Sequence, residues 1–144
     1  MDVLFPGLAA MPQRFAVTFV ELSDRRPAAI GPARVTPFAV VHASGAPSYA
    51  VRLEYGGKTI AYSGDTEWTE ALIDVSADAD LFVCEAYFFD KKMKYHLDWQ
   101  TLSANRARLR CRRLILTHMS RDMLDRLHEA DVESAHDGLT LTLD

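Results

Sequence analysis

The sequence is short of cysteine, of basic charge and of long apolar runs, and each shortage removes a class of protein. Its two cysteines, Cys84 and Cys111, stand without CxxC spacing in apolar or basic stretches. A disulfide framework is therefore excluded, and buried thiols in a reducing compartment, by default the cytoplasm, are expected. Lysine and arginine number 16 against 20 acids, a formal net charge of −4, so no global basic field advertises a nucleic acid or a membrane surface. The local run RARLRCRR (106–113) reads as the solvated face of a helix. MDVLFPGLAAMPQRF has no basic residue ahead of its apolar ones, and Pro6 and Gly7 interrupt them; this fits neither a signal peptide nor a membrane span of about 20 apolar residues. Repeats, low-complexity tracts and interdomain linkers are also missing.

What is present suffices for one globular domain: 144 residues, 49% hydrophobic and 25% charged. FAVTFVEL (15–22), RVTPFAVVHA (34–43), YAVRLEY (49–55) and KTIAYSG (58–64) are rich in β-branched and aromatic residues and predict strands. Pro37 places the second at an edge or a bulge, and Gly56-Gly57 predicts a hairpin between the third and fourth. Thr66 predicts the cap of a helix running to about residue 76. DADLFVCEAYF (78–88) contains an apolar strand, Asp98 predicts the cap of a helix over 99–109, and RRLILTHMS (112–120) is a second buried strand. A short helix over 122–129 and an alternating strand GLTLTL (138–143) complete the pattern. Hairpin-connected strands followed by strands alternating with helices predict an α+β fold, a mixed sheet with helices on one face.

Three of these strands end on a side chain that can bind a metal: VVH at His42, SGD at Asp65 and LTH at His118. A fourth, ending FVCEAY, offers Glu85. Turn chemistry alone accounts for a single Gly-Asp, but strand ends of a layered sheet gather at one rim, so four such endings predict convergence there. Imidazole and carboxylate donors are what a hydrolytic Zn²⁺ or Mn²⁺ site needs, because they leave a bound water acidic. His96, in YHLDW before the helix capped by Asp98, suits a general acid; His128 and His136 read as surface residues.

In this order VVH, YSGDT, a strand ending CEA, HLDWQTL and LILTHMS resemble the second half of the metallo-β-lactamase fold, in its ribonuclease Z-like and phosphodiesterase-like branch. The likeness spans about residues 15–143 and implies the αββα sandwich, here mainly its C-terminal half. It also implies roles: His42 and His118 as terminal ligands of two metals, Asp65 as the bridging carboxylate, His96 as the histidine that protonates the leaving oxygen, and Glu85 as the acid that orients it. Two Zn²⁺ ions, or Mn²⁺, about 4 Å apart would clamp the hydroxide and a phosphoryl oxygen. The implied substrate is a phosphodiester in RNA or a small nucleotide, or another small ester, with no membrane partner.

One departure matters. The family's histidine-rich HxHxDH loop, source of most of its ligands, is missing: the five histidines stand at 42, 96, 118, 128 and 136. The whole chain, 1–144, reads as a single partial domain, a fragment or half-domain, with only three protein ligands for two ions. Weak or incomplete metal binding is expected, with poor hydrolysis by the chain alone. Half of a two-sheet sandwich leaves an apolar face uncovered, so a homodimer or a partner supplying the missing half is also expected. The competing readings are a degenerate non-catalytic module for protein association, and an unrelated α/β binding domain in which Asp65 and His118 need not meet.

Overall fold

A computed structural model of the protein describes residues 20–143 together with Gly7, Met11, Phe15 and Ala16. One seven-stranded sheet follows chain order: β1 (Ala28–Ile30), β2 (Ala33–Ala39), β3 (Tyr49–Tyr55), β4 (Lys58–Tyr62), β5 (Leu81–Glu85), β6 (Leu114–Thr117) and β7 (Glu133–Ser134). The strand predicted over 15–22 centres on residues 17–19, which lie outside the described residues. β1 to β4 form an antiparallel meander, and β4 to β7 are parallel. The parallel strands require crossovers, supplied by α1 (Ala71–Ser76), α2 (Trp99–Asn105) and α3 (Arg121–Asp125). This is the expected α+β fold with a mixed sheet.

Local chemistry explains most of the turns. Gly56 and Gly57 have φ of 58° and 76°, the pair of positive values that a tight hairpin needs, and Tyr55 faces Lys58 across it. Pro37 lies beyond the part of β2 that β1 covers, and its carbonyl accepts from Arg25 N–H at 2.7 Å. Among the described residues no strand pairs with β2 on this side of Pro37, so its missing donor costs no ladder bond, as expected at an edge. Asp98 caps α2 by accepting from Thr101 N–H at 2.9 Å. The helix predicted to residue 109 tightens into a 3₁₀ turn at Arg106–Arg108.

Two expectations are corrected. Thr66 does not cap a helix; α1 begins at Ala71 after Glu70. Thr66 is fully buried, and its hydroxyl is already spent between Val41 N–H and the Glu67 carbonyl. Residues 138–143 form no strand. The edge beside β6 is taken by Glu133–Ser134, and past Ala135 the chain leaves the ladder, so the alternation of GLTLTL finds no hydrogen-bonded neighbour among the described residues.

The core lies between the sheet and the crossover helices. Phe38, Ala50, Ala61, Phe82, Cys84, Leu114 and Leu116 project from one sheet face onto Leu72, Val75, Leu102 and Met123. Each fully buried large side chain here contributes about 1.5–3 kcal/mol. Burial pushes the Cys84 thiol far above its ordinary range, so it is an inert core residue. The opposite face presents Val51, Leu53, Ile60 and Val83, half-buried, and Tyr62, exposed. The basic run is a solvated face: Arg106 pairs with Asp131, Arg108 with Glu70, Arg112 with Asp80 and Arg113 with Glu133. Among the described residues no helix is long and apolar enough to cross a membrane.

Candidate metal centre

β2 and β4 are both antiparallel to β3, and β5 and β6 run parallel to β4. Four strands therefore end at one rim, the side on which α/β sheets carry their ligands. Glu85 is the last residue of β5 and His118 the first after β6; His42 and Asp65 each follow their strand by three residues. His96 arrives on the loop before α2.

The side chains meet there. Asp65 Oδ2 lies 3.5 Å from His118 Nε2 and 3.9 Å from His42 Nε2. The His96 ring sits 5.5 Å from that of His42 and 5.4 Å from that of His118, centroid to centroid. His96 Nδ1 is 3.1 Å from Glu85 Oε2. His42, Asp65 and His96 form one group whose donor atoms lie within 4.8 Å of one another, and Glu85, His96 and His118 form another. Asp65 and His118 thus approach one another, against the unrelated-domain reading.

The backbone explains how. Gly64 holds φ of 60°, and a Cβ there would stand 3.1 Å from the Tyr49 carbonyl oxygen. Only glycine fits the turn that swings Asp65 onto the rim. Gly64→Ala should destabilise the fold by about 1–3 kcal/mol, visible as a lowered melting temperature. The next residue, Thr66, ties three segments together. Its N–H donates to Glu85 Oε1, and its hydroxyl accepts from Val41 N–H at 3.0 Å and donates to the Glu67 carbonyl at 2.7 Å. Val41 precedes His42, so one buried threonine registers the His42 loop, Asp65 and Glu85. Ser63, also fully buried, accepts from Glu85 N–H at 2.9 Å.

Exposure separates the donors. Glu85 is fully buried, whereas the side chains of His42, Asp65 and His118 are 23%, 35% and 41% exposed. Burial pushes the Glu85 carboxyl up, and the bonds from Thr66 N–H and His96 only partly oppose it. Both Glu85 oxygens are thus engaged, one by Thr66 N–H and the other by His96 Nδ1. Beside the rim the Tyr62 phenol is raised, first by burial and then by the charges of Asp65 and Glu85. Two imidazoles around one accessible carboxylate fit a Zn²⁺ or Mn²⁺ donor set in chemistry, though three donors fall short of two complete shells.

Sequence reasoning missed Tyr87, whose ring stacks on His96 at 4.7 Å and lies 5.1 Å from that of His118. It also missed the structural roles of Ser63 and Thr66. Tyr87 stands two residues past the strand end, where no periodicity reports direction. His128 and His136 are exposed, as expected, and neither joins the metal-capable groups.

Comparison with known proteins agrees with the geometry. The sequence model of the β-lactamase superfamily domain matches residues 3–119. Ribonuclease Z of Bradyrhizobium diazoefficiens is 40% identical over 70 residues, which cover 45% of this chain and 23% of that enzyme. The metallo-β-lactamase fold protein YhfI of Bacillus subtilis superposes with a TM-score of 0.70 at 20% identity, over 96% of this chain and 61% of that one. A diphosphatase of the PhnP family gives 0.70 at 20% identity, over 99% and 54%. The matched segments span only 23% to 36% of the length of the curated relatives. With a family match over most of its length and this fold, the chain belongs to the metallo-β-lactamase superfamily.

Proposed function

We propose that this chain carries the leaving-group half of a metal-dependent phosphodiester hydrolase, of the kind represented by its ribonuclease Z relative. The observation that supports this reading best is the meeting of His42, Asp65 and His118 beside a histidine backed by a buried carboxylate. His42, Asp65 and His118 would hold the metal, Zn²⁺ or Mn²⁺. The bound metal supplies an acidic water and neutralises phosphoryl charge.

The chain's own residues do the rest. Glu85, fixed by Thr66 N–H, accepts from His96 Nδ1 and so leaves Nε2 as the atom that presents a proton. Tyr87 stacks against the same ring and limits its rotation. His96 then donates to the oxygen leaving phosphorus, and Glu85 stabilises the charged imidazolium before transfer. The half-buried second sheet face supports a further element of the reading, that the active form is a homodimer or includes a partner that covers this face and supplies the missing donors.

Titration with Co²⁺, followed by its visible absorption, tests the site. The full chain should bind weakly, and Asp65→Asn should reduce affinity about tenfold or more. An unchanged titration for Asp65→Asn would remove the site. Tight stoichiometric zinc binding together with phosphodiester turnover by the chain alone would refute its incompleteness.

A further inference from the structure

His96 reaches the rim on a loop, and the turn that delivers it is strained. His96 N–H donates to the Met93 carbonyl at 3.2 Å, closing a turn with Lys94 and Tyr95 at its corners. Tyr95, at φ of 72°, takes the corner where glycine is the usual residue. Left-handed backbone is unfavourable for so bulky a side chain, and persists where surrounding contacts impose it.

One such contact comes from Glu67, which faces two ways. Its carboxylate Oε1 accepts from Tyr95 N–H at 2.9 Å. Its own N–H donates to the Val41 carbonyl at 3.1 Å. Val41 precedes His42, and Glu67 follows Asp65 by two residues. The backbone of Glu67 therefore belongs to the ligand rim, while its side chain reaches across to the loop that carries His96. The residue is half-buried, and partial exclusion of water strengthens a hydrogen bond of this kind.

His96 is thus held on both sides. The residue before it, Tyr95, is fixed by Glu67, and the carbonyl of the residue after it, Leu97, accepts from Tyr87 N–H at 2.8 Å. Glu85 can hold Nδ1 at 3.1 Å only if the backbone first brings the ring to it. Tyr87 stacks on the ring once it has arrived, whereas Glu67 acts on the backbone that places it.

We propose that Glu67 is a positioning residue: its carboxylate holds Tyr95 in left-handed backbone and thereby keeps His96 Nδ1 on Glu85. What His96 does there rests on the hydrolase reading, but the tether needs no metal, so the two fail separately. The full chain in EDTA, at a pH above the ordinary histidine range, is examined by NMR as wild type, Glu67→Gln and Glu67→Ala. Wild type should show His96 as the Nδ1–H tautomer. Glu67→Gln should keep it, because the amide oxygen still accepts from Tyr95. Glu67→Ala should shift it towards the Nε2–H form that free histidine prefers, and should speed exchange of the Tyr95 amide about tenfold or more. The Leu102 and Met123 methyl resonances should stay in place in all three, and Co²⁺ affinity should change by no more than about twofold, since the backbone bond to Val41 survives. A rapidly exchanging Tyr95 amide in wild type, an unchanged His96 tautomer in Glu67→Ala, failure of Glu67→Gln to preserve it, or loss of the core resonances or of Co²⁺ affinity along with it would each overturn the proposal. An unchanged Co²⁺ titration for Asp65→Asn with the Glu67 dependence intact would instead sink the hydrolase reading and leave the tether standing.

Discussion

Replacing His96 by alanine should lower turnover of a nucleoside phosphodiester by about 10²- to 10⁴-fold in the metal-loaded active form of the proposed hydrolase. The loss should be much smaller with bis(p-nitrophenyl) phosphate. A positioned acid matters in proportion to the basicity of the oxygen that leaves. A ribose alkoxide cannot depart without a proton, whereas p-nitrophenolate is stable enough to leave alone. His96 is equipped for this because Glu85 Oε2, at 3.1 Å, fixes which ring nitrogen faces the rim. Steady-state rates for the two substrates, wild type against His96→Ala, make the measurement. Equal losses on both would show His96 acting as a metal ligand or a structural residue, not as the acid.

How much of this site is legible in the sequence depends on where each residue stands relative to regular structure. His42, Asp65, Glu85 and His118 were legible because apolar runs of recognisable period lead up to them, and parallel strand ends must share a rim. Asp98 was legible as a cap for the same local reason. Thr66 was misread because its hydroxyl has two local uses, capping and clamping, and only burial between β2 and β5 decides between them. The alternation of GLTLTL reports the capacity to pair, not the presence of a neighbour. Tyr87 acts through ring contacts with His96 and His118 that tertiary packing sets, and no periodicity in the sequence carries those.

Removal of the Glu85 side chain should be the most damaging single change to folding, about 3–5 kcal/mol for Glu85→Ala, against a total near 5–15 kcal/mol for a domain. The alanine would strand Thr66 N–H and release His96, in a place where the carboxylate has no exposure at all. Glu85→Gln should cost far less at neutral pH, because the amide keeps the shape and its oxygen still accepts from Thr66. It should also change the pH dependence. Burial raises the folded-state value of Glu85 above its ordinary 4.5, so between the two values the folded protein binds more protons than the unfolded chain. Its contribution is fully present below about 4.5 and is lost as pH rises through the folded value. Metal-free wild type should therefore lose stability across that window, and Glu85→Gln should lack this component of the slope. Urea melts at a series of pH values in EDTA read both variants. Parallel profiles for wild type and Glu85→Gln would mean that the buried acid stays ionised throughout, and its part in steering His96 would then be that of a fixed charge.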